Sequence, residues 1–274
     1  MTKKIFDRIS IIILNLCIFA VFIISPALTC AASHSYYKYE FEKNGIYASE
    51  DESGAEERTS ICFIGGKSGS IAKFSDEQLD LISHHIIDFL FGDTESFALT
   101  MDNVILNGKE TDNVEIFGET AVLHMADVKA LMRGALIGDI ICALLLILSL
   151  VYIIRRRNEV GRVALRYTVI FLTVLLCLII LFLLLTFIGS YDIIVSHPSY
   201  FLDEVWTNMH HLLFPFNEEK FENSFFNDTL TQILTLELFM DAVTIVLVSL
   251  FTALFLWLGF AFVLRNKNRI SANR

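Results

Sequence analysis

Residues 119–154, ETAVLHMADVKALMRGALIGDIICALLLILSLVYII, begin with polar and charged side chains and end as an almost unbroken apolar run. From Glu119 the pattern is helical, and it passes through His124-Met125-Ala126-Asp127-Val128-Lys129 directly into the apolar part. One continuous helix with a polar head is therefore expected. Its apolar part, 135–154, is long enough to cross a hydrocarbon layer of about 30 Å at about 1.5 Å per residue. On such a helix His124 would stand about 15 Å above the apolar core.

Three further stretches, 10–29, 165–188 and 242–264, are equally long and apolar, so four spans are expected. The composition agrees, with 54% hydrophobic residues and three prolines. The net charge of -10 is unevenly spread. Lys3, Lys4, Arg8, Arg155, Arg156, Arg157, Arg162, Arg166, Arg265, Lys267, Arg269 and Arg274 crowd into the termini and the connection between the second and third spans, against only Asp7 and Glu159. The positive-inside rule then places both termini and that connection in the cytoplasm. Segments 31–134 and 189–240 face outward; the first carries 19 carboxylates against 8 basic residues, which argues against a nucleic-acid partner. A cleaved signal peptide is an alternative reading of the first span, but its run of about 20 apolar residues exceeds the usual signal-peptide core.

The expected fold is an all-α membrane protein: four transmembrane helices with an extracellular, α-rich cap containing a short hairpin. Its parts are a first transmembrane helix in 1–30, the cap in 31–134, and the second and third helices with their cytoplasmic connection in 135–188. A second extracellular segment with an interfacial helix fills 189–240, and the fourth helix with a cytoplasmic tail fills 241–274. Between Ser49 and Ser75 the chain is acidic and then glycine-rich, which reads as a mobile surface loop. Gly66-Lys67-Ser68 lacks the glycine five positions upstream that a phosphate-binding loop needs, because Ile61 stands there. Ser75 to Leu90 reads as a helix with Ser75 and Gln78 as a capping box, Leu79, Ile82, Ile86 and Phe89 as its buried stripe, and Gly92 as its stop. His84 on it is expected in solvent and His85 half-buried. Val104 to Phe117 reads as a hairpin around Asn107-Gly108. Tyr200 to Phe214 reads as an amphipathic helix lying at the headgroup level, anchored by Trp206, with His210 facing inward and His211 facing water. Cys17, Cys142 and Cys177 fall inside spans; Cys30 and Cys62 lie outside them, at no spacing that marks a disulfide framework or a zinc site.

All seven histidines fall in 31–134 and 189–240. An imidazole at a lipid–water boundary, with a reference pKa of about 6.5, suits general acid or base work on an ester, and two imidazoles could do both. His124, Asp127 and Val128 share a helix face at i, i+3 and i+4, which lets a carboxylate orient an imidazole. The bland alternative is that His124 and His210 are satisfied interfacial side chains.

His124-Met125-Ala126-Asp127-Val128-Lys129 at the head of the second span, with Met209-His210-His211-Leu212-Leu213-Phe214-Pro215 before the fourth, resembles the bacterial lipoprotein intramolecular transacylase family. Gly118-Glu119 and Phe239-Met240-Asp241-Ala242 fit the same pattern. The resemblance implies a four-helix membrane enzyme with an extracellular cap and no cofactor or metal. It implies transfer of the sn-2 acyl chain of a diacylglyceryl lipoprotein to the α-amino group of the same N-terminal cysteine, which leaves a lyso-form lipoprotein. Membrane-anchored lipoproteins and the bilayer are the implied partners. The family's two catalytic histidines map onto His124 and His210. Transfer closes a ring of eight atoms, so confinement of the substrate is a main task. One imidazole takes a proton from the α-ammonium and an acid protonates the departing glyceryl oxygen. His124, steadied by Asp127, is read as the base and His210 as the acid, although the roles can be exchanged. Lys129 is a supporting residue that either donates to the oxyanion or pairs with Asp127 or lipid phosphate, and Trp206, Phe214 and Phe216 are candidate pocket walls.

This chain departs from the family pattern in two places. Segment 49–74 looks like an insertion, and Pro215-Phe216-Asn217-Glu218-Glu219 replaces a stretch that usually includes a tryptophan. Both leave open a catalytically silent binding module that recruits a partner through an acidic cap. A metal-dependent lipid hydrolase using His84, His85, His210 or His211 is a third reading, for which the spacing gives no ligand pattern. Asp139, about a turn into the second span, is an intramembrane carboxylate and for that reason a candidate for function.

Overall fold

The computed structural model describes residues 2–46, 49–50, 56–57, 60–62, 64–67, 69–189, 201–214 and 228–272. The helices are α1 Thr2–Ala31, α2 His34–Lys43, α3 Asp76–Phe91, α4 Glu119–Arg155, α5 Arg157–Gly189, α6 Phe201–Leu213, α7 Thr229–Ile233 and α8 Leu236–Ala272. The strands are β1 Ser49–Glu50, β2 Glu56–Glu57, β3 Ser60–Cys62, β4 Ile71–Lys73, β5 Thr100–Met101, β6 Val104–Leu106, β7 Lys109–Thr111 and β8 Val114–Glu115. Among the described residues, four helices are long and apolar enough to cross a membrane, over Lys4–Ala31, Glu119–Arg155, Val163–Gly189 and Leu236–Val263. The polar head that carries His124 and the second span form one uninterrupted helix, as the pattern from Glu119 predicts.

By internal packing the chain divides into two units. The helical unit holds Met1–Phe22, Ile140–Glu218 and Ser249–Arg274; the sheet-bearing unit holds Ile23–Asp139 and Glu219–Val248. In the helical unit Ile11, Leu14, Ile153, Ala164, Trp257 and Ala261 are buried. Several polar groups inside it are paired, which offsets the cost of desolvation. Trp257 Nε1 donates to Thr168 Oγ1 at 2.9 Å, and the buried Asp7 accepts from the Tyr152 hydroxyl at 2.9 Å and from Arg156 Nη2 at 3.4 Å. Asp7, the one acid among the basic residues at the N-terminus, is thus the partner of an arginine that follows the second span.

Among the described residues, the apolar core of the sheet-bearing unit is built from α2, α3, strands β3, β4, β5, β6 and β8, the start of α4, α7 and the start of α8. Helix α3 forms where its caps predict. Ser75 Oγ accepts from Gln78 N–H, Gln78 Oε1 accepts from Ser75 N–H, and Leu79, Ile82, Ile86 and Phe89 are buried. His84 is exposed and His85 half-buried. The hairpin is present as β6 and β7, paired from Val104↔Thr111 to Leu106↔Lys109, with Asn107 at φ 51° and Gly108 at φ 78° as the primed turn an Asn-Gly pair favours.

The glycine-rich stretch is not the surface loop its composition suggests. Strands β3 and β4 extend the hairpin into a four-stranded antiparallel sheet of order β3-β4-β6-β7, and Ile61, Ile64 and Ala72 are buried. Its short strands alternate exposed and buried residues over only three positions each, too few to stand out against the surrounding Gly and Ser. Helix α2 was also unforeseen: its Ser33 cap and its buried Tyr37, Glu40 and Phe41 lie in a segment of mixed polar and aromatic residues. All five cysteines are free thiols.

Candidate active site

The head of α4 is fixed by a contact between distant segments. Gly118 N–H donates to Asp228 Oδ2 at 2.8 Å, and Gly118 O accepts the N–H of Val122 at 3.0 Å, so Gly118 caps the helix. Asp228 Oδ1 accepts from Leu230 N–H at 2.9 Å and caps α7 at the same time. Burial pushes the Asp228 carboxyl above its ordinary range, and the N–H groups of Leu230 and Gly118 pull it back. Gly65 and Gly66 complete the cradle: Gly65 donates to Ile116 O at 3.0 Å, and a side chain on Gly65 would meet Glu115 O at 2.9 Å.

His124 is one and a half turns into this helix and is 6% exposed. Ala121 and Met125 beside it belong to the apolar core, whereas Asp127 is exposed. Lys129 Nζ donates to Thr94 O at 2.6 Å and lies 4.4 Å from the centre of the Phe89 ring, a cation–π contact. That side chain binds the end of α3 to α4, a task the sequence reading did not assign to it.

His210 is half-buried near the C-terminal end of α6, in the helical unit. Its ring lies 4.8 Å from that of Phe214 at 44°, and Phe214 N–H returns to His210 O at 2.9 Å. Burial, and then the neighbouring His211, hold the His210 pKa below the usual histidine value, so its neutral form dominates near neutral pH. His211, expected in water, is half-buried. Leu212 and Leu213 are exposed, at 73% and 47%, which suits a helix with a face meant for lipid. Of Trp206 only the backbone is described, and Phe216 lies outside the described residues.

The remaining histidines on α2 and α3 have local partners. His34 Nδ1 lies 2.9 Å from Ser83 Oγ, its ring stacks on His84 at 4.1 Å, and His85 Nε2 lies 3.0 Å from Phe97 O. Among the described residues no three of His, Cys, Asp or Glu gather as a metal-binding group. Asp139 Oδ2 accepts from Ser25 Oγ at 2.7 Å.

Sequence reasoning passed over a carboxyl on the buried side of α2. Glu40 is fully buried between Tyr37 and Phe41, and it meets Asp241 and Lys43. The helical wheel carries the signal, since Tyr36, Tyr37, Glu40 and Phe41 share one face, and a carboxylate inside an aromatic stripe requires a partner.

The sequence profile described as lipoprotein intramolecular transacylase Lit matches residues 11–239. Among solved structures, the membrane-integral lipoprotein intramolecular transacylase Lit from Bacillus cereus superposes with a TM-score of 0.56 at 15% identity, covering 97% of this chain and 99% of that one. A form of the Bacillus cereus protein with a histidine-to-arginine substitution gives 0.53 at 14% identity, covering 98% and 96%. No curated protein sequence matches this chain. At those identities the structures speak for the fold.

Proposed function

Because this chain belongs to the lipoprotein intramolecular transacylase family, we propose that it moves the sn-2 acyl chain of a diacylglyceryl lipoprotein to the α-amino group of that lipoprotein's N-terminal cysteine, using His124 and His210. It is an acyltransferase and a multi-pass membrane protein. The observation that carries the reading is the family match over 11–239, which takes in both histidine motifs.

The chemistry needs three events. The α-ammonium loses a proton to become a nucleophile; the amine attacks the ester carbonyl, forming a C–N bond and a tetrahedral oxyanion; the C–O bond then breaks as the glyceryl oxygen takes a proton. A second proton leaves the nitrogen, so the net reaction releases one proton to solvent. An imidazole matches the first and last steps because its pKa lies near that of the α-ammonium, about 7.7–8.0. The depressed pKa of His210 means that it rests in the neutral form and is ready to accept a proton. With His210 neutral at rest, the base is assigned to His210 and the acid to His124, an exchange of roles that the residue types allow equally. Asp127 is assigned to steadying His124, and Lys129 to holding the α3–α4 junction. The aromatic side chains of Phe214, Trp206 and Phe216 are assigned to the acyl chains.

Expression in a strain that makes diacylated lipoproteins is expected to give N-acylated, S-monoacylglyceryl lipopeptides by mass spectrometry. Unchanged lipopeptides from folded protein would favour a silent binding module, and free fatty acid a hydrolase. The charge asymmetry of the termini and connection supports an external sheet-bearing unit and cytoplasmic termini. In a chain freed of other cysteines, Lys109→Cys should react with an impermeant maleimide on intact cells, and Arg155→Cys only after permeabilisation. The opposite pattern would invert the topology.

A further inference from the structure

The start of α3 and strands β4, β5 and β6 border a groove of about 460 Å³ on the sheet-bearing unit, within the range of about 300–1,000 Å³ that ligand sites occupy. Its floor is apolar. Leu81 and Ile105 line it while 48% and 39% exposed, and Ile105 points away from the core because Val104 before it points in. Gln78 Nε2 donates to Asp102 O at 3.2 Å and to Asn103 O at 3.3 Å, and Asp102 Oδ1 accepts from Asn113 N–H at 2.8 Å, so the wall is held by bonds of its own. The concavity is preformed. Its rim has polar capacity to spare: among the described residues neither the Thr100 hydroxyl nor the Asn103 amide has a hydrogen-bond partner, and Lys73, the one cation lining the groove, has no ion pair. Lys73 stands opposite Ile105 in the strand register, which sets an ammonium beside the apolar floor.

Helix α3 runs from this groove to the junction with α4. Leu81 stands about 12 Å before Phe89 along α3, the Phe89 ring meets Lys129, and Lys129 stands about 7.5 Å beyond His124 along α4. By way of these helices the groove is roughly 20–30 Å from His124, a span that about six to nine extended residues cover at about 3.3 Å each.

We propose that this groove binds the polypeptide of the lipoprotein several residues beyond its acylated cysteine, seating an apolar side chain on Leu81 and Ile105 and a carboxylate on Lys73. The assignment rests on the transacylase reading, in which every substrate carries a polypeptide that leaves its cysteine on the side where the imidazoles act. An extended polypeptide offers a donor and an acceptor at each residue and a side chain on alternate faces, which matches a polar rim over an apolar floor. An acyl chain or a glyceryl group would leave the Lys73 charge unmatched. The groove thus makes recognition depend on how far the polypeptide continues past the lipid anchor.

The test uses the full chain in nanodiscs and diether analogues of the diacylglyceryl lipopeptide, which bind but cannot transfer an acyl group, with either two or twelve residues after the cysteine. The long analogue carries leucine at its sixth and seventh positions and glutamate at its eighth and ninth, so that one of each falls on either face of an extended chain. A second long analogue has lysine in place of glutamate. The wild-type protein is expected to bind the glutamate analogue at least fivefold more tightly than the short one. Ile105→Asp should cut that preference below twofold, and Lys73→Glu should transfer it to the lysine analogue, with Tm unchanged in both because these side chains are exposed. Tyr39→Ser, on α2 and outside the groove, should keep the preference. Equal binding of the short and long analogues by the wild type, or the full glutamate preference in either folded groove variant, overturns the proposal. Turnover of ester lipopeptides by the wild type is measured in parallel, and failure there overturns the transacylase reading instead, since the length preference is read from binding alone.

Discussion

Replacing either His124 or His210 with alanine is expected to lower conversion of a diacylglyceryl lipopeptide by about 100-fold or more, the range that loss of a general acid or base produces. The losses should not multiply in the double variant, since both imidazoles serve one proton circuit. His124 is 6% exposed within the apolar core, so truncation there leaves a cavity as well as removing the imidazole. His124→Gln fills most of that space without supplying a base, and a variant that melts like the wild type but does not convert lipopeptide separates chemistry from folding. His211→Ala provides the internal comparison on α6. It should retain conversion and should also raise the pKa of His210, because His211 is one of the two causes that depress it. The acidic limb of the pH–rate profile would then move to higher pH, since His210 must be neutral to accept the proton. Loss of turnover in His211→Ala alone would transfer the catalytic role to that neighbour, and an unshifted limb would remove His210 as the base.

Those parts of the fold written in local chemistry were legible from the sequence, and those written in distant contacts were not. The apolar runs, the Ser75–Gln78 box, the Asn107-Gly108 turn and the unbroken pattern from Glu119 each act within a few residues, and all appear where the sequence places them. Strands β3 and β4 have meaning only through partners such as Ala72↔Leu106, and nothing within 60–73 announces them. The candidate site divides in the same way. His124 and His210 stand in quotable motifs, but Glu40 acquires its interest from Asp241, about two hundred positions further on. Lys129 shows the limit from the other side: its motif is visible, yet its ammonium partner is a backbone carbonyl at Thr94 that no side-chain pattern marks.

Gly118→Ala is expected to be among the most damaging single-methyl additions available in the described chain. Its Cβ would stand 2.6 Å from Asp228 Oδ2, 3.1 Å from Gly66 N and 3.2 Å from Gly65 C. Two of these neighbours are backbone and cannot swing away. The third is a 3% exposed carboxylate whose two oxygens hold the starts of α4 and α7, so moving it breaks both caps. Overpacking costs about 1–3 kcal/mol, and each buried N–H left without an acceptor adds about as much again. A thermal melt in detergent should show Tm falling by several degrees or the protein failing to accumulate. Conversion should fall with it, because the register of α4 sets where His124 stands. Asp228→Asn should be milder. Its amide oxygen can still cap Leu230, as Asn caps helices as well as Asp does, but its NH2 would face the Gly118 N–H and lose that bond. Gly134→Ala on the same helix is the control: nothing lies within 4 Å of its added Cβ, and alanine is the better helix former by about 1 kcal/mol. If Gly118→Ala melts with the wild type while Gly134→Ala behaves as stated, the glycine cradle does not fix the head of α4, and Asp228 does not position that helix.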